Sequence, residues 1–116
     1  HLAALALLVK AGCDVNQAAN DGRTPAYSAA ENGHTVALDL LVKAGCDVNQ
    51  ADENGSTPAD AAAKGGRTTT LKRLIKAGCD VNQAQKDGGT PAFTAAQMGQ
   101  TAALKLLVEA GCDVNQ

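Results

Sequence analysis

Apolar residues along this chain fall into short helical stripes that end at glycine. The clearest stripe lies in residues 35–44, where Leu38 and Leu41 recur at the spacing of one helix face. Gly45 follows it, and glycine readily adopts the left-handed conformation at a helix C-terminus. The pattern predicts an amphipathic helix from about Thr35 to Ala44. Its apolar face consists of Ala37, Leu38, Leu41 and Val42.

A shorter helix is predicted just before this one. The stretch Asn20-Asp21-Gly22 has the composition of a tight turn. Thr24 can cap the free amides of a helix, and Pro25 suits the first helical position because it has no N–H to satisfy. We therefore expect a helix from about Pro25 to Asn32, separated by Gly33 from the helix that follows.

The same two-helix pattern recurs with a fixed period. The motif Ala-Gly-Cys-Asp-Val-Asn-Gln begins at Ala11, Ala44, Ala77 and Ala110, which are 33 residues apart each time. Such a period predicts stacked structural units that bury their apolar stripes against one another. The units are 1–17 (the second half of a truncated repeat), 18–50, 51–83 and 84–116. The corresponding stripes are Leu71, Leu74 and Ile75, then Leu104, Leu107 and Val108.

Charge and hydropathy exclude several classes of function. The formal net charge is −2 and no basic stripe is present, so we expect no nucleic-acid binding. No apolar run approaches the length of a membrane span, so we expect no membrane insertion. Two aromatic residues and many alanines predict a thin core of small side chains.

The four cysteines occupy equivalent positions in successive units. They are Cys13, Cys46, Cys79 and Cys112. Stacked units place equivalent residues about 8–10 Å apart, whereas a disulfide needs Cα atoms within about 7 Å. A row of residues also cannot converge on one metal ion. We expect small buried thiols and no metal site. Unpaired cysteines and no visible signal peptide favour an intracellular, cytoplasmic location.

The motifs Asp21-Gly22-Arg23-Thr24-Pro25, Gly33-His34 and Gly45 through Asn49 recur with variations in each unit. The chain resembles the ankyrin repeat family over essentially its whole length. The resemblance implies an all-α solenoid of stacked helix-turn-helix units joined by β-turn or hairpin-like loops. It also implies a non-enzymatic protein–protein interaction module, without cofactors, that binds its partner on a concave face of turn tips and first helices.

This chain departs from the family pattern at one repeat position. The family has Leu-His after Thr-Pro, and that histidine is understood to tie one unit to the next. Here the second residue is Tyr27, Asp60 or Phe93. Tyrosine and aspartate can substitute in part because they form hydrogen bonds, whereas phenylalanine cannot.

No catalytic constellation is visible. His34 stands at the family's Gly-His position, where a structural role is expected, and the carboxylates are scattered. The asparagine after each Asp-Val, as in Asn16 and Asn49, is expected to bond loop backbone. Hydroxylation of such an asparagine remains an alternative implied by the family. Asn54-Gly55-Ser56 matches a glycosylation sequon, which we interpret as chance.

Residues that change between units are the candidates for partner binding. Met98 is the candidate apolar anchor, and Tyr27 and Phe93 are expected near the edge of the groove. The candidate binding residues are Asn20, Asp21, Arg23, Glu31, Asn32, Glu53, Asn54, Ser56, Lys64, Lys86, Asp87, Gln97 and Met98.

Two alternatives stay open beside a binding module. The chain could be a designed or consensus-like repeat scaffold, or a structural spacer, with no natural partner of its own. Both terminal units lack the polar capping repeats of such arrays, so we also expect a tendency to associate end to end. The sequence does not identify the partner.

Overall fold

The computed structural model describes residues 16–111, and within this range the fold is an all-α solenoid of six helices without strands. Apart from residues 16 and 17, the half-unit predicted at 1–17 lies outside the described residues. The helices are α1 (Pro25–Glu31), α2 (Thr35–Lys43), α3 (Pro58–Lys64), α4 (Thr68–Lys76), α5 (Pro91–Gln97) and α6 (Thr101–Glu109).

The first helices of the units, α1, α3 and α5, begin as the Thr-Pro pattern predicts. Proline occupies the start of each helix, and the preceding threonine is the N-cap in extended conformation. The Thr24 side chain accepts a hydrogen bond from the Tyr27 amide at 3.2 Å. Thr57 and Thr90 accept the equivalent bonds from Asp60 and Phe93. These contacts satisfy amides that a helix N-terminus otherwise leaves free.

The second helices, α2, α4 and α6, begin without a side-chain cap. Their N-cap residues are His34, Arg67 and Gln100, and none of these side chains makes a capping hydrogen bond. Each residue instead donates its backbone N–H to a first-helix carbonyl at 2.8 Å, as His34 does to Ala29. The structural contribution of His34 thus comes from its backbone at the corner between two helices.

The turns require glycine at their corners, as Gly22 shows. Its φ is +85°, and a Cβ atom there would lie 2.8 Å from the Glu53 backbone nitrogen in the next turn. Both the conformation and the close approach exclude a side chain. Glu53 N donates to the Asp21 carbonyl at 3.0 Å, and Lys86 N donates to Asn54 in the same way. Successive turns are therefore joined directly.

The Asp-Val-Asn loops form a second connection between units. Asn16 Oδ1 accepts a hydrogen bond from the Asp47 amide at 2.7 Å, and Asn49 Oδ1 accepts one from the Asp80 amide at 2.6 Å. The Gln50 side chain donates back to the Asn16 carbonyl, and the Gln83 side chain donates back to the Asn49 carbonyl. The structural role predicted for Asn16 and Asn49 is confirmed, and it links neighbouring units.

The core is as thin as the composition predicts. First helices pack against first helices, and second helices against second helices, while each helix pair closes on itself. Alanines fill the space between first helices, where Ala30, Ala62 and Ala95 have no exposed surface. Such small side chains allow backbones to approach closely. The largest fully buried apolar side chains are Leu38, Leu41, Leu71, Leu74 and Leu107.

Two details differ from the predicted pattern. Helices α1 and α2 end one residue earlier than expected, because Asn32 and Ala44 serve as C-caps. Val108, assigned to the buried stripe of α6, is 48% exposed. The equivalent Val42 is partly buried and borders α4. No described helix follows α6 in the stack, so nothing in the described range covers Val108 in this way.

The two described cysteines are free, as predicted, but they are only partly buried. Cys46 and Cys79 pack at the margin of the core. Burial, with a smaller contribution from Asp80, raises the pKa of the Cys79 thiol to about 11, and burial followed by Asp47 also raises the pKa of Cys46. Both therefore remain thiols at neutral pH. Cys13 and Cys112 lie outside the described residues.

Candidate functional site

The variable residues lie on the surface formed by the turns and by the exposed sides of α1, α3 and α5, which we call the turn face. Twelve of the thirteen predicted binding residues are exposed, and Ser56 is partly buried. The turns carry Asn20, Asp21, Arg23, Glu53, Asn54, Ser56, Lys86 and Asp87. The last turns and C-caps of the first helices carry Glu31, Asn32, Lys64, Gln97 and Met98.

A cleft of about 270 Å³ crosses this face. It brings together seven of the predicted residues, namely Arg23, Asn54, Ser56, Lys64, Asp87, Gln97 and Met98. It also includes residues that were not predicted as binding residues, namely Tyr27, Asp52, Asp60, Ala61, Gln85, Gly89, Phe93 and Thr94. The cleft draws on three successive units, so it exists only in the stacked arrangement.

Arg23 forms one wall of the cleft and is held by several neighbours. Its guanidinium nitrogens lie 3.5 Å from Asp21, 3.6 Å from Glu31 and 3.9 Å from Asp52. The guanidinium carbon lies 5.0 Å from the centre of the Tyr27 ring, within the range of a cation–π interaction. Three predicted residues, Asp21, Arg23 and Glu31, therefore form one charged group on the unit of residues 18–50.

The position after Thr-Pro-Ala differs in each described unit. Tyr27 is 6% exposed, and its hydroxyl lies 3.2 Å from the Ser56 hydroxyl of the next unit. Phe93 is 56% exposed and forms part of the opposite wall. The expectation that tyrosine can link units and phenylalanine cannot is consistent with these contacts.

Asp60 occupies this position in the middle unit and is the most unusual side chain of the cleft. It is 2% exposed. Its Oδ2 accepts hydrogen bonds from the Thr57 amide at 2.9 Å and from the Thr57 hydroxyl at 3.2 Å, which completes a capping box on α3. Its Oδ1 is buried and has no hydrogen-bond partner among the described residues.

The electrostatic state of Asp60 follows from this environment. Burial raises the pKa of the carboxyl from 3.8 to about 6. The hydrogen bonds from Thr57 and the polar influence of the nearby Gln85 side chain oppose the rise in pKa, while the charge of Asp52 adds to it. At neutral pH Asp60 is mostly ionised, and one of its two oxygens remains without a partner.

The described residues contain no group of three or more His, Cys, Asp or Glu side chains that could hold a metal ion. None of the described helices is both long and apolar enough to cross a membrane. The cleft offers hydrogen bonds, charge and apolar contact to a ligand.

Sequence reasoning missed Asp52, Asp60 and Gln85 as parts of the cleft. Asp60 departs from the family pattern. The signal that it lines the site was the variation among Tyr27, Asp60 and Phe93 at one repeat position. Asp52 stabilises its own turn, because its Oδ1 accepts hydrogen bonds from the Asn54 and Ser56 amides. No sequence pattern indicated that it also lines the cleft.

The fold and this surface define a helical repeat solenoid that presents equivalent residues in rows. The family model described as ankyrin repeats, in three copies, matches residues 1–85 and 44–116, and the chain therefore belongs to the ankyrin repeat family. Ankyrin repeats are generally protein–protein interaction modules and are typically not enzymes. No curated protein matches the chain.

Proposed function

We propose that this chain is a non-enzymatic module that binds a partner protein on its turn face. The observation that carries the proposal is the cleft, which collects variable residues from three successive units and exposes Phe93 and Met98 beside them. Exposed apolar side chains bordered by polar groups are typical of protein-binding surfaces.

The rigidity of the turn face supports this function. Its turns are joined by backbone hydrogen bonds, and its first helices pack through buried alanines. A surface that is already ordered loses little conformational entropy on binding. The molecule measures 44 × 25 × 20 Å, so one side has room for the roughly 800 Å² that each partner buries in a standard interface.

We place this module inside the cell, in the cytoplasm. The support is chemical: Cys46 and Cys79 are unpaired. Free thiols persist in reducing compartments, whereas exported proteins of this size tend to form disulfides.

The proposal is tested by affinity capture from a lysate of the source cells, with quantification of the bound proteins. The turn-face variant replaces Asn20, Arg23, Glu31, Lys86 and Met98 with alanine. The matched control replaces five exposed residues of the second helices with alanine, namely Lys43, Lys72, Lys76, Lys105 and Glu109. Circular dichroism verifies that both variants are helical.

We expect a partner that the wild-type chain and the control variant retain and the turn-face variant loses. A partner retained equally by all three chains, or the absence of any partner, would contradict the proposal. That result would favour the scaffold or spacer interpretation.

A further inference from the structure

The middle unit places an acid where its neighbours place aromatic rings. Asp60 lies at the third position of α3, equivalent to Tyr27 in α1 and Phe93 in α5. All three residues line the same cleft. The Asp60 carboxyl group therefore lies between the unit that carries the Tyr27 ring and the unit that carries the Phe93 ring.

The buried carboxylate lacks a cationic partner. Among the described residues, no basic nitrogen lies within 4.0 Å of Asp60. Arg23 is shared among Asp21, Glu31 and Asp52. A buried charge without a counter-charge is unfavourable, and each unsatisfied buried polar atom calls for an explanation.

We propose that the cleft receives a lysine or arginine side chain from an extended segment of the partner protein, and that Asp60 is the carboxylate that pairs with it. This inference rests on the proposed function, because it names the chemistry of a partner that binds the same face. A charge-assisted hydrogen bond to Oδ1 would satisfy the one oxygen that the fold leaves unpaired.

The walls of the cleft suit the stem of a long basic side chain. Such side chains carry an apolar stem beneath the charged end, and the Phe93 ring is available to pack against it. Met98 is 48% exposed, lines the same cleft and offers contact to an apolar neighbour in the partner segment. The favoured segment therefore combines a basic residue with an aromatic or aliphatic residue close by.

The charges around the cleft favour a cation slightly. Asp52, Asp60 and Asp87 supply negative charge, while Arg23 and Lys64 supply positive charge. Lys64 is exposed, so its ammonium group can turn toward solvent. The long Gln85 side chain lines the cleft and interacts with the Asp60 carboxyl, so it is positioned to be displaced by the incoming side chain.

The pairing predicts a defined pH dependence. The ionised carboxylate binds a cation, and burial raises the pKa of Asp60 to about 6 in the free chain. The ionised fraction falls roughly tenfold for each pH unit below the pKa. The affinity for a basic peptide is therefore expected to fall by about tenfold between pH 7 and pH 5.

The test uses a library of random short peptides displayed on phage and selected against the wild-type chain at pH 7.5. Raised salt during selection suppresses weak attraction between exposed charges. Selected peptides without histidine are then titrated by fluorescence anisotropy against the wild type, Asp60→Asn and Glu109→Gln. Asparagine keeps an acceptor for Thr57, and Glu109 is an exposed acid on α6. Thermal unfolding verifies that each variant is folded.

We expect the selected peptides to contain lysine or arginine next to an aromatic or aliphatic residue. Asp60→Asn should weaken binding by about tenfold or more and abolish the pH dependence, because the charge-assisted bond is lost. Glu109→Gln should bind within about twofold of the wild type.

A double variant of the turn face, Lys64→Ala/Met98→Ala, distinguishes failure of the Asp60 pairing from failure of binding on the turn face. Peptides that this variant loses but that lack a basic residue, or that bind Asp60→Asn as well as the wild type, overturn the inference and leave the proposed function standing. In that case Asp60 is only a capping residue whose second oxygen is hydrated. Selection of no peptide that depends on the turn face overturns the inference, whereas the proposed function is overturned only when the lysate capture also finds no partner that depends on that face.

Discussion

The two oxygens of the Asp60 carboxyl group have different roles. Oδ2 accepts hydrogen bonds that cap the N-terminus of α3, whereas Oδ1 is buried without a hydrogen-bond partner among the described residues. The capping box stabilises the helix N-terminus, and the unsatisfied oxygen works against folding. The net contribution of Asp60 to the free energy of unfolding depends on pH, because burial is less unfavourable for a protonated carboxyl than for an ionised one.

The first prediction concerns the stability of Asp60→Asn as a function of pH. The folded-state pKa of about 6 lies above the usual 3.8, so the contribution of this group to stability is full below 3.8 and is lost as pH rises through 6. The free energy of unfolding of the wild type should fall, relative to the variant, by up to roughly 3 kcal/mol between pH 4 and pH 7.

Urea unfolding followed by circular dichroism measures this difference at several pH values. Because both chains share the other carboxylates, the difference between the two unfolding free energies removes the effect of titrating those groups. A difference in unfolding free energy that stays constant with pH, or a wild type that gains stability relative to the variant as pH rises, would show that the carboxyl is not buried as described.

A second prediction at this scale concerns two glycines. Gly22→Ala should destabilise the chain by about 2 kcal/mol or more, because φ is +85° and the added Cβ would meet the Glu53 backbone at 2.8 Å. Gly65→Ala is the control. Gly65 has φ −85° and its nearest Cβ contact is 3.4 Å, so alanine should be neutral or stabilising by up to about 1 kcal/mol.

Thermal and urea unfolding of the two variants tests this contrast. Equal effects of both substitutions would contradict the account of the turns. The contrast was predictable from sequence, because Gly22 recurs in register in each unit and Gly65 does not.

Single residues show which features the sequence can reveal. The threonine caps and the corner glycines act through their own backbone, so their roles follow from local pattern. The burial of Asp60 and the exposure of Phe93 depend on neighbouring units. Both occupy the same repeat position, and no local rule distinguishes them.

At the scale of elements, the two kinds of helix are stabilised differently. The first helices have capped N-termini, whereas the second helices lack side-chain caps and rely on packing through leucines such as Leu38 and Leu71. Helices of nine residues are marginal in isolation, so the second helices should form only within the stack.

The links between units are tested by Asn49→Ala. Asn49 Oδ1 accepts the Asp80 amide at 2.6 Å, and its removal leaves that amide to solvent. We expect a loss of about 1 kcal/mol in the free energy of unfolding. Asn20→Ala, at an exposed turn position, serves as the control and should change stability by less than about 0.5 kcal/mol.

Urea unfolding measures both values. A loss in Asn49→Ala no larger than that in the control would mean that the asparagine contact contributes nothing to the joining of units.

Helix positions were largely predictable at this scale, because Thr-Pro and glycine bracket each helix. The core stripe was largely predictable, since Leu38, Leu71 and Leu107 are buried, but Val108 is exposed where the equivalent Val42 and Ile75 are partly buried, because no described helix covers it. Periodicity identifies the face of a helix but does not show what packs against that face.

At the scale of the whole molecule, the stack gives the chain two different surfaces. The turn face carries the variable residues and the cleft, with several acids. The second helices carry basic residues, among them Lys43, Lys72, Arg73, Lys76 and Lys105. The thirteen candidate binding positions follow from variation between units and stay a prediction, whereas the cleft was not predicted, because residues of three units and a buried acid line it.

The stack also explains why a binding surface is compatible with so thin a core. Each unit contributes few large side chains, and the contacts between units supply the remaining stabilisation through helix packing, turn bonds and asparagine links. The turn face is therefore ordered before a partner arrives.

Amide hydrogen–deuterium exchange with and without a bound partner tests whether the turn face is the binding surface. The partner is either the captured protein or a selected peptide. We predict new protection at the turns, in residues 19–23, 52–56 and 85–89, and along α1, α3 and α5, with α2, α4 and α6 unchanged. Protection concentrated on the second helices, with the turns unaffected, would contradict the assignment of the turn face as the binding surface.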